Sequence, residues 1–244
     1  MSIQENSEDT AAVTQAVRRL LGSMPVAVEL LLAGNESRFV AANSNKSWAH
    51  TSSKRLLDLA IAVPALIFLA PFLALLALLI RLDSPGPALF RQKRLGYRGR
   101  PFDIFKLRTM RVLEDGETIA QARPDDARVT QIGRWLRASS LDELPQLINV
   151  IKGEMSLVGP RPHARAHDDF YARLIAGYPH RQDVNPGITG WAQVNGLRGA
   201  TPTVDIMSRR VDFDVWYARH ASFGLDLEIL LRTPLEVLRR RNAY

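Results

Sequence analysis

The chain has 244 residues, no cysteine and a formal net charge of +7. Its length suits one domain of ordinary size plus a membrane element, and the absence of cysteine excludes a disulfide framework and any thiolate metal site. The positive charge comes with no familiar nucleic-acid-binding fingerprint, so nucleic acid is not an expected partner.

Residues 1–53 form an N-terminal extension whose function the sequence does not indicate. Apolar residues recur at helical spacing within about residues 9–32, which predicts a short amphipathic helix. The Ser-, Asn- and Ala-rich stretch that follows predicts a linker. The apolar segment of the chain begins too late and is too long for a secretory signal, so no cleaved leader is expected.

Residues 54–82 are predicted to form a membrane helix. From Ala60 to Ile80, 21 consecutive residues carry no charge, and at about 1.5 Å per residue they span roughly 30 Å, the thickness of a bilayer's hydrocarbon core. Pro64 and Pro71 lie inside this stretch. An interior proline removes a backbone hydrogen bond and clashes with the preceding turn, so a kink or break is expected, above all at Pro71.

Basic residues flank the membrane helix on both sides. Residues 54–111 carry eleven basic and three acidic side chains, whereas residues 112–244 carry seventeen of each. The positive-inside rule therefore favours neither orientation, and both ends look cytoplasmic. A re-entrant helix, bent near Pro71, satisfies this charge pattern, and an ordinary single-pass helix is the alternative. The basic collar indicates attraction to anionic lipid headgroups or to a polyphosphate ligand.

Residues 83–244 are predicted to form the cytosolic domain. Two strand-like runs, ALFRQKR and PFDIFKLRTM, flank Gly96–Gly99 and predict a β-hairpin. Residues 111–130 are acidic and loop-like, and most of the remainder has helical character. The expected fold class is α+β and mostly helical: a monotopic membrane protein with one re-entrant helix, a small hairpin and a helical catalytic domain.

The chemistry-bearing residues concentrate between residues 134 and 162. Ser140 precedes Glu143 by three positions and an apolar stripe follows, which predicts a helix N-terminus with a capping box. One interpretation is that Asp142 and Glu143 only complement the helix dipole. However, Arg137 and Arg161 lie close by in sequence, and carboxylates with guanidiniums at a helix N-terminus suit phosphate chemistry with a divalent metal.

Five segments together carry a resemblance to a known family. They are KRLLDL, FKLRTM, SLDELPQLINVIKGEMSLVGPRP, NPGITGWAQVNG and VDFDVWYARH. In this order after a membrane helix, they resemble the bacterial sugar transferases, the monotopic phosphoglycosyl transferases, over about residues 54–244. GPRPHARAH, GLRGAT and the terminal RRRNAY are similar to the branch that transfers glucose 1-phosphate to undecaprenyl phosphate. Longer members of that branch carry additional membrane helices.

The resemblance implies a catalytic pair, Asp142 and Glu143. Asp142 is then the nucleophile that attacks the sugar-bearing phosphate of a UDP-sugar, UMP leaves, and undecaprenyl phosphate takes the sugar phosphate from the aspartyl intermediate. Mg²⁺ is the implied cofactor, held by Asp142 together with the substrate phosphates. The resemblance also implies further substrate-binding residues: Lys106, Arg108, Arg137 and Arg161 on phosphate, and Asp214 without a defined role.

Trp191 and Gln193 lie in a Gly-bounded loop, where the tryptophan either stacks on uracil or is buried in a turn; they are carried as substrate-binding candidates. Three positions depart from the family pattern: Ala70 stands where small members have serine before the membrane proline, Asn185 where a basic residue is usual, and Ala200 where the glucose branch often has glutamate. The first leaves the kink to Pro71 alone. The other two weaken the inference of glucose, and UDP-galactose is the alternative donor.

Two other interpretations compete with this one. His163, His167 and Asp168 have the spacing of a zinc site, although a third ligand is not evident and arginines are adjacent. A membrane-anchored scaffold that binds a nucleotide-sugar without turnover is the alternative of a different class. The expected partners are a UDP-sugar, undecaprenyl phosphate and inner-membrane lipids, with homo-oligomerisation left open. The expected location is the bacterial cytoplasmic membrane, with the catalytic domain on its cytoplasmic face. The C-terminal leucine-rich run is either an interfacial helix or a helix packed in the core.

Overall fold

A computed structural model of the chain describes residues 47–111 and 126–238. The predicted N-terminal amphipathic helix, most of the predicted linker, most of the acidic loop and the terminal RRRNAY lie outside these residues. The helices are α1 Ser52–Asp83, α2 Gln131–Ser139, α3 Gln146–Lys152, α4 Arg165–Leu174, α5 Trp191–Val194, α6 Val204–His220 and α7 Phe223–Leu238. The strands are β1 Leu89–Leu95, β2 Pro101–Leu107, β3 Ser156–Val158 and β4 Gly187–Thr189. The protein is thus mostly helical, as predicted.

Helix α1 runs without interruption for 32 residues, and both prolines lie inside it. Of the two outcomes expected at Pro71, a break is therefore wrong. A proline removes only its own N–H, and the hydrogen bonds of the neighbouring residues suffice to continue the helix. The helix begins at Ser52, where the side chain of Thr51 accepts a hydrogen bond from Lys54 N at 3.1 Å and caps the first turn. It is the one helix in the described residues long and apolar enough to cross a bilayer.

Both ends of α1 pack on the same domain. Near its start, Arg55 donates to the carbonyl oxygens of Val150 and Ile151, the latter at 2.6 Å, and so satisfies the last turn of α3. Near its end, Leu76 and Ile80 are buried in a cluster with Leu107 and Leu136.

The middle of α1 is instead exposed, as Ile67 and Phe68 are 71% and 82% accessible. An apolar surface of this kind needs an apolar environment to cover it.

The predicted hairpin is confirmed. Strands β1 and β2 pair antiparallel with Leu89 opposite Leu107 and Leu95 opposite Pro101. A 3₁₀ turn at Tyr97–Gly99 joins them, and Arg98 adopts the left-handed region there at φ 54°.

A second sheet, which the sequence did not predict, pairs β3 with β4 in parallel. It fixes the loop that follows β3, because Gly159 N donates to Thr189 O at 2.9 Å and Gly187 N donates to Pro160 O at 2.9 Å. Gly159 has to be glycine, since a Cβ there would lie 2.3 Å from the Asn185 carbonyl oxygen.

Candidate active site

Asp142 and Glu143 lie on a 3₁₀ turn, Leu141–Glu143, between α2 and α3. The predicted capping box is wrong. Ser140 terminates α2 in the left-handed conformation, at φ 59° and ψ 18°, and its side chain caps no N–H of the following turn. Helix α3 begins only at Gln146. The turn is anchored instead through Leu141, which packs against the buried cluster at the end of α1.

Glu143 is fixed by two cations that arrive from different elements. Lys106, from β2, donates to Glu143 Oε1 at 2.9 Å. Arg161, from the loop after β3, binds both carboxylate oxygens, with Nη1 2.9 Å from Oε2 and Nη2 in contact with Oε1. Burial by itself would raise the pKa of Glu143, but Arg161 and Lys106 outweigh it and hold the pKa well below its usual range. Glu143 is therefore ionised, and its side chain is held in place by Lys106 and Arg161.

Asp142 has a different environment from its neighbour. It is buried, with 9% of its surface accessible, and no side chain among residues 47–111 and 126–238 hydrogen-bonds to its carboxylate. Burial and then Glu143 raise the pKa of Asp142 to about 6, against the opposing effects of Lys106, Arg137 and Arg161. Removal from water is thus a larger effect on Asp142 than the nearby cations. Asp142 therefore has a carboxylate that no described side chain binds and that is more basic than an ordinary aspartate.

Two further arginines, Arg137 and Arg198, lie near Asp142 and Glu143. Arg137, in the last turn of α2, lowers the pKa of Asp142 and so lies near that carboxylate; its contact with phosphate stays a prediction. Arg198 was missed by the sequence analysis. Its Nη2 contacts Ser140 Oγ, and its Nη1 is buried without a hydrogen-bond partner in the described part of the chain. The sequence did contain a signal for Arg198: it is a basic residue between Gly196 and Gly199, just after the family segment NPGITGWAQVNG.

Burial lowers the pKa of the Arg198 guanidinium, and Glu143 opposes this. Burial likewise lowers the pKa of Lys106, again opposed first by Glu143. Glu143 favours the charged form of both side chains. Together with Arg137 and Arg161 they give the site a strongly positive potential around one free carboxylate.

Arg108 does not join this group. It is buried at the end of α1, where it donates to the carbonyl oxygens of Ile80 at 3.2 Å, Ser84 at 2.5 Å and Pro85 at 2.7 Å. These are carbonyl groups at and just beyond the last turn of a helix, which a cation stabilises. Its prediction as a phosphate contact is corrected: Arg108 caps the end of α1.

Trp191 and Gln193 are structural as well. Trp191 is 4% exposed and stacks on Trp216 with ring centroids 5.3 Å apart, and the guanidinium of Arg232 lies 5.2 Å from its ring centre. Gln193 donates to Ile188 O at 3.2 Å. Trp191 is therefore buried, which favours the buried alternative for this segment, and stacking on uracil stays a prediction that this burial does not support.

Asp214 lies in a buried polar network next to the site. Its Oδ2 accepts from Arg181 Nε at 3.1 Å and from Arg181 Nη2 at 2.8 Å. His163 and Asp168 also belong to this network: the hydroxyl of Tyr178 donates to Asp168 at 2.7 Å, and Arg181 Nη1 donates to Nδ1 of His163 at 2.8 Å. No group of three or more His, Asp or Glu side chains capable of holding a metal occurs among the described residues. The zinc alternative thus gains no support from these histidines.

The donor set at Asp142 fits magnesium only in part. Mg²⁺ prefers oxygen ligands and is commonly held by one or two carboxylates together with substrate phosphates and water. The uncommitted carboxylate of Asp142 is such a ligand, whereas Glu143 is occupied by Lys106 and Arg161. Asp142 alone would hold the ion from the protein side, and the substrate phosphates would supply the other ligands.

A free carboxylate beside a fixed one, surrounded by one lysine and three arginines, is the arrangement of an enzyme that acts on phosphate esters or anhydrides. The family model described as bacterial sugar transferase matches residues 49–240. The chain therefore belongs to the bacterial sugar transferase family, and the family and enzyme class inferred from the sequence motifs are confirmed.

Named relatives share this region. A UDP-glucose:undecaprenyl-phosphate glucose-1-phosphate transferase of Caulobacter vibrioides is 55% identical over 191 residues, which are 78% of this chain and 72% of the relative. The protein of the same name in Escherichia coli is 48% identical over 191 residues, 78% of this chain but only 41% of that relative. An exopolysaccharide production protein of Rhizobium leguminosarum is 43% identical over 195 residues, 78% of this chain and 98% of its own length.

Proposed function

We propose that the protein transfers glucose 1-phosphate from UDP-glucose to undecaprenyl phosphate and releases UMP, as the first membrane step of exopolysaccharide synthesis. The observation that carries the proposal is the unequal pair at the 3₁₀ turn: Glu143 is held by Lys106 and Arg161, while Asp142 is buried, free of partners among the described residues and raised in pKa to about 6. A carboxylate of this kind is largely ionised at neutral pH and nucleophilic. The names of the relatives support the substrates.

In the first half-reaction, a carboxylate oxygen of Asp142 attacks the phosphorus that bears glucose. A new P–O bond forms to Asp142, the anhydride P–O bond breaks, and UMP leaves with the bonding electron pair. In the second half-reaction, a phosphate oxygen of undecaprenyl phosphate attacks the same phosphorus. The bond to Asp142 breaks, the carboxylate is regenerated, and the product is a glucosyl diphosphate lipid.

The surrounding cations favour this chemistry by lowering the energy of the negative charge that develops on phosphate oxygens. Arg198 Nη1 is buried without a hydrogen-bond partner in the described part of the chain, so we assign Arg198 to the diphosphate. Arg137, whose charge acts on Asp142, adds to the positive potential there. Arg161 and Lys106 hold Glu143 and extend the positive potential. When bound, Mg²⁺ would neutralise charge on the diphosphate of UDP-glucose as UMP leaves, and Asp142 would be its protein ligand.

We assign α1 to the bacterial cytoplasmic membrane as a re-entrant helix, with the catalytic domain on the cytoplasmic face. The support is that Arg55 and Ile80, near the two ends of α1, both contact the same domain, while Ile67 and Phe68 between them are exposed. A domain bound to both ends of the helix stays on one side of the bilayer. The exposed residues then lie in the hydrocarbon, where no backbone group is left without a partner except those freed by the prolines.

A labelling experiment tests this topology. The chain contains no cysteine, so single replacements at Ser53 and Pro87, both exposed and close to the two ends of α1, report sidedness in inverted and right-side-out vesicles. We expect both to react with an impermeant maleimide only in inverted vesicles. Reaction of the two sites from opposite sides would show a spanning helix and refute the assignment.

The activity is tested in two parts with the full chain in detergent or nanodiscs. UMP release from UDP-glucose without lipid acceptor measures the first half-reaction, and label transfer to an extractable lipid measures the second, each with Mg²⁺ and with EDTA. Asp142→Asn is expected to abolish both, whereas Glu143→Gln retains slow release. Mass spectrometry of enzyme incubated with UDP-glucose alone is expected to find a hexose phosphate on the Asp142 peptide.

The same assays separate the alternatives. A panel of UDP-glucose, UDP-galactose and their N-acetyl forms measures donor preference, because one or two hydrogen bonds, each worth about 1–3 kcal/mol when left unpaired, distinguish epimers. Faster turnover of UDP-galactose than of UDP-glucose would replace the proposed donor. Nucleotide-sugar binding without turnover of any member of the panel would instead support the scaffold interpretation. An adduct on a peptide that does not contain Asp142 would refute the proposed nucleophile.

A further inference from the structure

Arg181 forms hydrogen bonds with the loop that carries Arg161, the arginine that contacts Glu143. It lies in a 3₁₀ turn, Tyr178–Gln182, and is 3% exposed. Its Nη2 donates to the backbone carbonyl of Arg161 at 2.5 Å, and its Nη1 donates to Nδ1 of His163 at 2.8 Å. Burial first and Arg181 second hold the pKa of His163 well below its usual range, so this ring is neutral and Nδ1 accepts the hydrogen bond. One guanidinium therefore holds two positions of the same loop.

The guanidinium is itself held from two helices. Asp214, on α6, accepts from Nε at 3.1 Å and from Nη2 at 2.8 Å. Asp168, on α4, lies 3.7 Å from Nη1 and accepts from the hydroxyl of Tyr178. All four of these side chains are buried. A planar fork with partners on several sides has little freedom to rotate, so Arg181 is a rigid support rather than a flexible contact.

Among the described residues, the hydrogen bond from Arg181 is the one that holds the backbone carbonyl of Arg161. Upstream, the sheet hydrogen bonds of Gly159 and Pro160 with β4 fix the chain. The prolines at 160 and 162 limit rotation on either side of Arg161. The peptide carbonyl of Arg161 is then set by Arg181, and this determines the direction from which the Arg161 side chain reaches Glu143. An error of about 1 Å in such placement is enough to reduce turnover by about 100-fold.

We propose that Arg181 and Asp214 are positioning residues: Asp214 orients Arg181, and Arg181 holds the backbone of Arg161 so that its guanidinium meets Glu143 beside the nucleophile. The inference rests on the proposed function, because it assumes that Arg161 serves turnover. It assigns Asp214 a role that is transmitted through two arginines, without contact with the substrate. The opposite interpretation is that the pair is an ordinary buried ion pair that only stabilises the fold.

The test removes the pair together. Loss of one partner leaves a buried unpaired charge that can prevent folding, whereas apolar replacement of both is often tolerated. The variant R181M/D214L therefore keeps the buried volume occupied by side chains but removes the hydrogen bond to the Arg161 carbonyl. Arg181→Lys is the second variant, since its single ammonium stays paired with Asp214 yet lacks the fork needed to hold Arg161 as well. Melting temperature and gel filtration establish that each variant is folded.

For UMP release, we expect kcat of R181M/D214L to fall by about 10–100-fold with KM for UDP-glucose changed by less than about threefold, because a misplaced Arg161 affects the transition state more than the ground state. In an Arg161→Gln background, the same double replacement should reduce kcat by less than about threefold further. This non-additivity is the signature of action through Arg161. Arg181→Lys should follow the same pattern with a smaller loss.

The matched control is R232M/E228L. Arg232 also pairs with a carboxylate, at 3.0 Å, and donates to a backbone carbonyl, that of Val194 at 3.0 Å, but it does not touch the loop of Arg161. We expect it to retain wild-type kcat. If folded R181M/D214L retains wild-type kcat, or if its loss is undiminished in the Arg161→Gln background, the positioning role is overturned while the proposed function stands. A wild-type protein that releases no UMP refutes the proposed function, and the inference falls with it.

Discussion

Replacing Asp142 by asparagine should make the folded protein more stable at neutral and alkaline pH, although it removes the proposed nucleophile. The wild-type carboxyl group is buried beside Glu143, and these two effects raise its pKa to about 6. Its ionisation therefore costs more free energy in the folded protein than in the unfolded chain. Asparagine has a similar size and stays neutral at every pH, so the variant avoids this cost.

The size and pH window of the effect follow from the two pKa values. A rise from 3.8 to about 6 corresponds to about 3 kcal/mol, at about 1.4 kcal/mol for each pH unit. Between these values the folded protein keeps a proton that the unfolded chain has lost, so the stability of the wild type falls as the pH rises. Above pH 6 the whole penalty is present, and below about pH 4 both states are protonated and it disappears. The advantage of Asp142→Asn therefore grows from about zero at pH 4 to about 3 kcal/mol at pH 8.

Tryptophan fluorescence during heating measures this, since the chain has four tryptophans. At about 2–4 °C per kcal/mol for a domain of this size, the variant should melt about 6–12 °C above the wild type at pH 8 and together with it at pH 4. Glu143→Gln is the adjacent control with the opposite sign. It should melt below the wild type at pH 8, because Lys106 and Arg161 lose their partner. An Asp142→Asn protein that is no more stable than the wild type at pH 8, or equally favoured at pH 4, would refute the assigned environment.

Four further outcomes are expected from single substitutions. Glu143→Gln should move the acid limb of the pH profile for residual UMP release below pH 6, because Glu143 is one of the two causes that raise the pKa of Asp142; a limb that stays in place would contradict their coupling. Arg108→Gln should lower the free energy of unfolding by about 2–4 kcal/mol, measured by denaturation, with KM for UDP-glucose unchanged, since its hydrogen bonds serve the end of α1. Trp191→Phe should also leave KM for UDP-glucose within about threefold, and a tenfold rise would restore the stacking role. Arg198→Gln should reduce kcat/KM for UMP release by about 10–100-fold, as expected for loss of a cation facing the diphosphate, and wild-type kinetics would exclude it from the site.

The sequence predicted those features whose signals are local. The hairpin follows from two strand-like runs around glycines, and the apolar helix follows from 21 uncharged residues. By contrast, strands β3 and β4 have three residues each, which is too short for any periodicity to be read. Their pairing depends on contacts between residues about thirty positions apart, and it is this pairing that places the loop of Arg161.

Lys106 and Arg108 are two positions apart, yet their different roles could not be predicted from the local sequence. The resemblance assigns both Lys106 and Arg108 to phosphate, and at two positions apart they would face the same side of a continued β2. Strand β2 ends at Leu107, so the chain turns and the two cations separate. Lys106 reaches Glu143, whereas Arg108 reaches the carbonyls at the end of α1. Where a strand ends is set by tertiary packing, and no feature of FKLRTM indicates it.

The spacing of Ser140 and Glu143 predicted a capping box, but the actual end of α2 at Ser140 gives Asp142 and Glu143 different environments. Helix α2 extends to Ser139, so Ser140 closes one helix in the left-handed conformation instead of opening the next. The following three residues form a 3₁₀ turn, in which neighbouring side chains diverge by about 120°. Asp142 and Glu143 consequently meet different surroundings, burial without a described partner for one and two cations for the other. Had Glu143 folded back on the Ser140 backbone, Lys106 and Arg161 would have had Asp142 as their nearest carboxylate, and the cations would have neutralised the nucleophile.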